Sequence, residues 1–201
     1  MHGDLIYIPK GLNLLVDDVR INHMTFAGII VEGGLFFDDS VQIELNTNLI
    51  QINGGIMKIG SESEPFNNNL VITFTASRVG PVLPEFGNNV LAVLDGELSI
   101  HGAQKIPSWT HLQSSVIEGE NVIVLNEDVN WQVGDEVVIT GTGYSAQETE
   151  YGVIEQITNN RIITLEEPLQ FNHVSSEKTL RNGEVLSMRA EVGVLSRNVK
   201  I

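Results

Sequence analysis

The chain has 201 residues, with 26 acidic against 11 basic side chains and a formal charge of −15. A hydrophobic share of 42% against 18% charged residues excludes intrinsic disorder and leaves ample material for a core. With no cysteine, disulfide frameworks, thiolate metal sites and cysteine nucleophiles are ruled out, and the acidic balance argues against nucleic acid, whose phosphates need clustered Lys and Arg.

In chain order, Met1-His2-Gly3-Asp4 carries no basic patch followed by an apolar run, so no signal peptide is read there. Strand signals then follow one another at Leu5–Ile8, Leu12–Val16, Val41–Leu45, Leu70–Thr75, Val122–Leu125, Glu136–Thr140 and Ile162–Leu165. Each is short, rich in Val, Ile and Leu, and bounded by Gly, Asn, Asp or Pro. Apolar and polar residues alternate in Val41-Gln42-Ile43-Glu44-Leu45 and Leu98-Ser99-Ile100-His101. No long window keeps the apolar period of a helix. Apolar runs such as Ala27–Val31 and Val90–Leu94 fall far short of the roughly 20 residues of a spanning helix. The expectation is an all-β chain, with 19 glycines to supply its turns.

A repeat gives that expectation a shape. Val31-Glu32-Gly33-Gly34-Leu35 aligns with Ile52-Asn53-Gly54-Gly55-Ile56, and again with Leu94-Asp95-Gly96-Glu97-Leu98, at offsets of 21 and then 42 residues. Read as one period and then two, with Leu70–Ala76 in the missing turn, this is the strand–corner–strand rhythm of a parallel β-helix. Glycine recurs where the chain bends between strands. A sandwich of similar hairpins is the competing architecture.

From Trp109 the rhythm changes. Glu118-Gly119-Glu120-Asn121, Gln132-Val133-Gly134-Asp135 and Thr158-Asn159-Asn160-Arg161 read as turns between short strands. Trp131–Ile139, Ile154–Ile157 and Arg161–Leu165 predict a small antiparallel sheet or barrel. The whole is expected to be a right-handed parallel β-helix with an inserted small antiparallel β-module. Its divisions are 1–110 for the β-helix coils, 111–180 for the module and 181–201 for the start of following repeats. The run to Ile201 stops inside an apolar alternation without turn chemistry, which suggests a longer protein. Residues 178–201 concentrate Lys178, Arg181, Arg189, Arg197 and Lys200 against only Glu184 and Glu191, as a solvated face or as a tail for an acidic neighbouring surface.

Several motifs resemble one family. They are Ile8-Pro9-Lys10-Gly11, Glu32-Gly33-Gly34-Leu35-Phe36-Phe37, Gly55 with Ile59-Gly60, Phe86-Gly87, Gly96 with His101-Gly102, Trp109-Thr110 with Leu112, and Trp131-Gln132-Val133-Gly134-Asp135. Together they resemble the eight-glycine extracellular domain of fibrocystin, fibrocystin-like and cell-surface hyaluronidase-like proteins, over about residues 5–170. The eight glycines fall at Gly11, Gly34, Gly55, Gly60, Gly87, Gly96, Gly102 and Gly134, and Glu97 departs from the pattern where many members carry a second glycine. The resemblance implies an extracellular or cell-surface module of a larger protein, with the other domains of that protein as partners. Only the hyaluronidase-like branch implies glycan cleavage.

The chemistry-bearing residues are sparse. Asp17-Asp18 and Asp38-Asp39 are neighbours in sequence, but strand neighbours point to opposite faces, and turn capping is the commoner role. Glu32, Asn53 and Asp95 share a repeat position and are expected to stack near the corner. Tyr144, Glu148 and Glu150 form a candidate sugar-binding loop, the ring stacking and the carboxylates accepting hydroxyls. The alternative is that Glu150 anchors the loop to a backbone amide or a base. His2, His23, His101, His111 and His173 have no metal-ligand spacing, so no metal site is assigned. Ca²⁺ is the one cofactor left open. The paired glycines are not phosphate loops, and no serine sits in a nucleophile elbow. A chain this acidic is a poor match for the polyanion hyaluronan. The preferred reading is a non-catalytic structural or adhesive module, with glycan binding at Tyr144, Glu148 and Glu150. The alternative is part of a glycan-active enzyme using Asp38, Asp95, His101 and Glu150, with the rest of its site elsewhere.

Overall fold

The computed structural model describes residues 3–77 and 86–201, so Met1 and His2 lie outside the described residues. The chain forms two compact units, one of Met1–Ala103 with Arg197–Ile201 and the other of Gln104–Ser196. Among the described residues, helical structure is limited to two short 3₁₀ turns, Val19–His23 and Ala146–Glu148. All else that is regular is strand.

In the first unit the chain visits three parallel sheets in the same order, round after round. The first round is β1 (Leu5–Ile8), β2 (Asn13–Val16) and β3 (Thr25–Phe26). The second is β4 (Gly28–Val31), β5 (Gly34–Phe37) and β6 (Ile43–Thr47), and the third is β7 (Leu49–Asn53), β8 (Ile56–Ile59) and β9 (Leu70–Phe74). A fourth opens with β10 (Val90–Leu94) and β11 (Glu97–Ile100). Two sheets run β1-β4-β7-β10 and β2-β5-β8-β11, and the third contains β3, β6 and β9.

Parallel register places like positions above one another, so apolar side chains stack in columns. Leu14, Leu35, Met57 and Leu98 are consecutive partners in one column. Leu35 and Met57 are 1% and 0% exposed, whereas Leu14 and Leu98 are 38% and 37% exposed because they belong to the outermost strands of their sheet. Each fully covered side chain of this size contributes about 1.5–3 kcal/mol by leaving water.

The repeat is there, but its count and register are corrected. β7 pairs directly with β10, so the 42-residue offset is a single enlarged round. Leu70–Phe74 lies in the third sheet rather than at a missing corner. The ungapped alignment also slips by one residue. It matches Leu35 with Ile56, but Leu35 pairs with Met57, and Ile56 is 40% exposed. One extra corner residue, with Gly54 at φ +69°, shifts every later side chain to the other face. Between the third and fourth rounds the ungapped alignment is one residue too long throughout, so Asn53 pairs with Leu94 and not with Asp95.

Two glycines are required by the packing. A Cβ on Gly55 would lie 2.5 Å from the Gly33 carbonyl oxygen in the round beside it. Gly60 has φ +63°, and its Cβ would come within 2.4 Å of the His101 carbonyl oxygen.

The second unit is antiparallel. It comprises β12 (Trp109–His111), β13 (Val122–Val124), β14 (Glu136–Ile139), β15 (Glu150–Thr158), β16 (Ile162–Leu165), β17 (Ser175–Thr179), β18 (Val185–Arg189) and β19 (Glu191–Val194). Six of these form one sheet in the order β12-β19-β14-β15-β16-β13, and β17 and β18 form a separate hairpin. β19 thus belongs to this sheet, within the stretch 181–201 that the sequence reading sets apart. Asn159 and Asn160, at φ +53° and +55°, make the β15–β16 turn, the backbone that tight hairpins favour and Asn tolerates. Leu112, Leu125, Ile139, Ile154, Leu165 and Val192 are each fully buried in its core.

Buried polar groups clip this core together. Lys105 Nζ lies 2.6 Å from Asp135 Oδ2, with both side chains 10% exposed, and the same oxygen accepts from Gln132 N. Trp131 Nε1 donates to the Pro107 carbonyl. The chain then returns to the first unit as β20 (Val199–Lys200), which pairs in parallel with β9. Asn198 sets that return: its Oδ1 accepts from Ala103 N, and its Nδ2 donates to the carbonyls of Phe66 and Asn68.

Candidate functional site

Glu150 opens β15 opposite Ile139, which is buried, so strand alternation points its side chain inward. There its carboxylate is fully engaged. Oε2 accepts from Gln170 N at 2.7 Å, and Oε1 accepts from Phe171 N at 2.9 Å and lies 2.8 Å from His173 Nε2. His173 is completely buried, and its Nδ1 is 2.9 Å from the Thr140 carbonyl oxygen. That carbonyl can only accept, so Nδ1 donates in this bond. The group joins both ends of the β14–β15 loop to the segment 170–173.

Tyr144 and Glu148 lie on that same loop. Tyr144 is wholly exposed. Ser145 caps the short turn over Ala146–Glu148 by accepting from Gln147 N. Glu148 is half-buried and folds over Gly143, where an added Cβ would sit 2.0 Å from its Oε2. The loop therefore presents Tyr144 outward while Glu150 holds its base.

Asp38, Asp95 and His101 belong to the first unit and Glu150 to the second. Asp38 Oδ1 accepts from Ser40 N at 2.7 Å. This bond, with the Ser40 side chain, holds the Asp38 carboxyl below its ordinary range, the opposite of what a general acid needs. Its neighbour Asp39 accepts from the backbone N–H groups of Asn67 and Asn68, both at 2.7 Å. Asp95 is an exposed corner residue at φ +48°. His101 contributes its backbone to the ladder, donating to Ile59 and accepting from Phe66. Glu32 accepts from the Tyr7 hydroxyl at 2.6 Å, which holds the tyrosine's proton more tightly than usual. Among the described residues, no hydrogen bond or ion pair joins Asp38, Asp95 and His101, and no group of three His, Asp or Glu could hold a metal ion.

Two features escaped sequence reasoning. The first is a cavity of about 220 Å³ whose lining includes Ile6, Leu14, Leu15, Ile21 and Phe26. It lies by the outermost strands β1, β2 and β3. The second is the outer face of the six-stranded sheet, where Trp109 and Tyr151 stand exposed. Their signal was present in the alternation of Trp109-Thr110-His111 and Glu150-Tyr151-Gly152-Val153-Ile154, which turns Thr110 and Glu150 inward and the two rings outward.

Fold and site together define an all-β module in which the carboxylates of Asp38, Asp39 and Glu150 serve the chain's own backbone. The sequence profile of the G8 domain matches residues 1–113, and the chain belongs to the G8 domain family, the eight-glycine domain of the motifs above. It is 36% identical over 203 residues to Fibrocystin-L of Homo sapiens and 34% identical over 203 residues to Fibrocystin of Mus musculus. In both cases 99% of this chain aligns with 5% of the relative. Protein rliB of Dictyostelium discoideum is 29% identical over 203 residues, covering 96% of this chain and 17% of that protein. The chain thus spans a small part of the relatives it matches. Among the described residues no helix is long and apolar enough to cross a membrane.

Proposed function

We propose that this chain is a non-catalytic structural module of a larger extracellular or cell-surface protein. On this reading the three parallel sheets wind as a right-handed β-helix, and residues 104–196 are an antiparallel module inserted into its fourth round. The observation that carries the proposal is the open apolar end at β1–β3. Leu14 and Leu15, which line the 220 Å³ cavity, are 38% and 50% exposed, and Leu5, Leu12 and Val19 of the same round are each more than half exposed. Stacked repeats need a cap at such an end, and an adjoining domain of the same protein supplies one. The extracellular setting is what the fibrocystin-type resemblance implies.

The engaged carboxylates support the absence of catalysis. Glu150 acts as the loop's anchor, while Tyr144 and Glu148 offer a contact surface above it. The test has two arms. A dye that fluoresces on exposed apolar surface should bind the chain, and Leu15→Glu should remove most of that signal. Hyaluronan and neutral polysaccharides incubated with the chain should keep their length on size-exclusion chromatography. Shortening that disappears in Asp38→Asn or Glu150→Gln would overturn the proposal in favour of a glycan-cleaving enzyme.

A further inference from the structure

We infer that the outer face of the six-stranded sheet is a binding platform for an uncharged oligosaccharide. The site is independent of the open apolar end that carries the module reading and uses neither that end nor Tyr144, Glu148 and Glu150. Trp109 on β12 is directly opposite Gly193 on β19, Gly193 is opposite Val138 on β14, and Val138 is opposite Tyr151 on β15. Directly opposed residues share a face, so these four form one row across the sheet. The alternate residues Thr110, Val192, Val137 and Ile139 are buried beneath it. Trp109 is 54% and Tyr151 66% exposed. With neighbouring strands about 4.8 Å apart, the two aromatic residues stand about 14 Å apart measured along the sheet, which curves so that its first and last strands meet at the bridge between Leu112 and Leu125. A ligand touching both rings is a short chain of sugars following this convex face rather than one sugar.

Gly193 is the observation that turns a row into a site. A glycine inside a strand weakens it and often marks a place where a ligand comes close. Nothing in the fold requires this one. Gly193 is not among the residues with positive φ, and an added Cβ would meet only ordinary contacts, with Val138 Cγ1 at 3.6 Å and Trp109 Cβ at 3.7 Å. Gly152, in contrast, would press a Cβ against Leu165 at 3.1 Å. The missing side chain at Gly193 leaves a low step between the Trp109 ring and Val138, with Tyr151 on the far side of Val138. Trp109 is also steadied in place: the His111 ring packs edge-on to it at 5.4 Å and 73°, which lowers the entropy lost on binding.

The class of ligand follows from what the row offers. β19 and β14 are interior strands whose backbone groups are engaged in the sheet, so a peptide crossing them would find no ladder to join. A sugar needs only ring faces for its C–H surfaces and acceptors for its hydroxyls. The exposed carboxylates of Glu191, opposite His111, and of Glu136, two residues from Val138, lie on this face and provide those acceptors. They also repel an anionic chain, so the platform selects neutral glycans over hyaluronan.

Trp109 is exposed and Trp131 is 4% exposed, so tryptophan fluorescence reports the platform directly. The purified chain is titrated with chitohexaose, cellohexaose and mannohexaose, and with a hyaluronan hexasaccharide, and binding is checked by calorimetry. At least one neutral hexasaccharide should bind with a Kd of about 1 mM or tighter, and hyaluronan should not. Trp109→Ala and Tyr151→Ser should each weaken binding by about tenfold or more. Gly193→Thr should keep the melting temperature and lose binding, an outcome that a folding defect does not produce. If Trp109→Ala fails to fold, Gly193→Thr and Tyr151→Ser carry the test. Failure of all three neutral sugars to bind, binding untouched by Gly193→Thr and Tyr151→Ser, or equal binding of hyaluronan would each overturn the inference.

Discussion

In the parallel unit Met57 is buried and its column partner Leu98 is 37% exposed, whereas in the antiparallel unit Leu125, Ile139 and Leu165 are all fully buried. The first unit builds its core by stacking, so burial depends on a round lying on either side, and the outermost rounds stay partly bare. The second closes its core upon itself, and does so with polar clips: Asp135 on Lys105, and Glu150 on His173 and two backbone N–H groups. A stack of like rounds therefore needs neighbours at its ends, while a closed sheet needs specific side chains at its loops.

Six substitutions probe that difference, and the largest effect is expected within the stack. Met57→Ala should cost about 2–5 kcal/mol in chemical denaturation, and Leu98→Ala should cost clearly less because its side chain is already partly in water. Equal losses would mean that position in the stack does not set burial. Next comes the closed unit. Glu150→Ala strands His173 Nε2 and the amides of Gln170 and Phe171, a loss of about 3 kcal/mol, while Tyr144→Ala should leave the unfolding midpoint unchanged. A neutral result at Glu150 would free that carboxylate for ligand chemistry.

Asn198→Ala removes the three bonds that fasten β20 and should destabilise by about 2 kcal/mol, seen as earlier hydrogen exchange at Ala103. The smallest effect is one of pH. The Asp38 carboxyl is depressed in the folded state by its bonds to Ser40. Its contribution is therefore fully present above the ordinary carboxylate range and is lost as pH falls through its lowered folded value. Asp38→Asn should lower stability slightly at neutral pH and leave it unchanged at pH values below the lowered one, so that the acid side of the profile is flatter. A profile identical to the parent's would show that the Ser40 bonds do not persist in solution.

Much of the fold was legible because it is local. The strands at Leu5–Ile8, Leu70–Phe74, Glu136–Ile139 and Ile162–Leu165 followed from apolar runs with turn residues at their ends, and the Asn159-Asn160 hairpin from its two Asn. The corner glycines stood out because a backbone neighbour occupies the space of a Cβ, as at Gly55. The third round was misread because its excursions before and after β9 differ in length from those of its neighbours, and loop length is weakly constrained by stability. The candidate site was legible only in part. Glu150 was singled out together with the anchoring role that its contacts display, but Tyr151, one position along and facing outward, was passed over.

The sequence by itself determined that the chain is all-β, where most strands lie, that glycine marks the corners, and that the family is that of the eight-glycine domain. These are properties of neighbouring residues: side-chain branching, alternation and the freedom of a backbone without a Cβ. Only the tertiary structure decided that β7 pairs with β10, that Asn198 fastens residues from Phe66 to Ala103, that Glu150 meets His173, and that Trp109, Gly193, Val138 and Tyr151 fall in one row. Each of those joins segments far apart in the chain, and their meeting is set by register and packing, which no local pattern encodes.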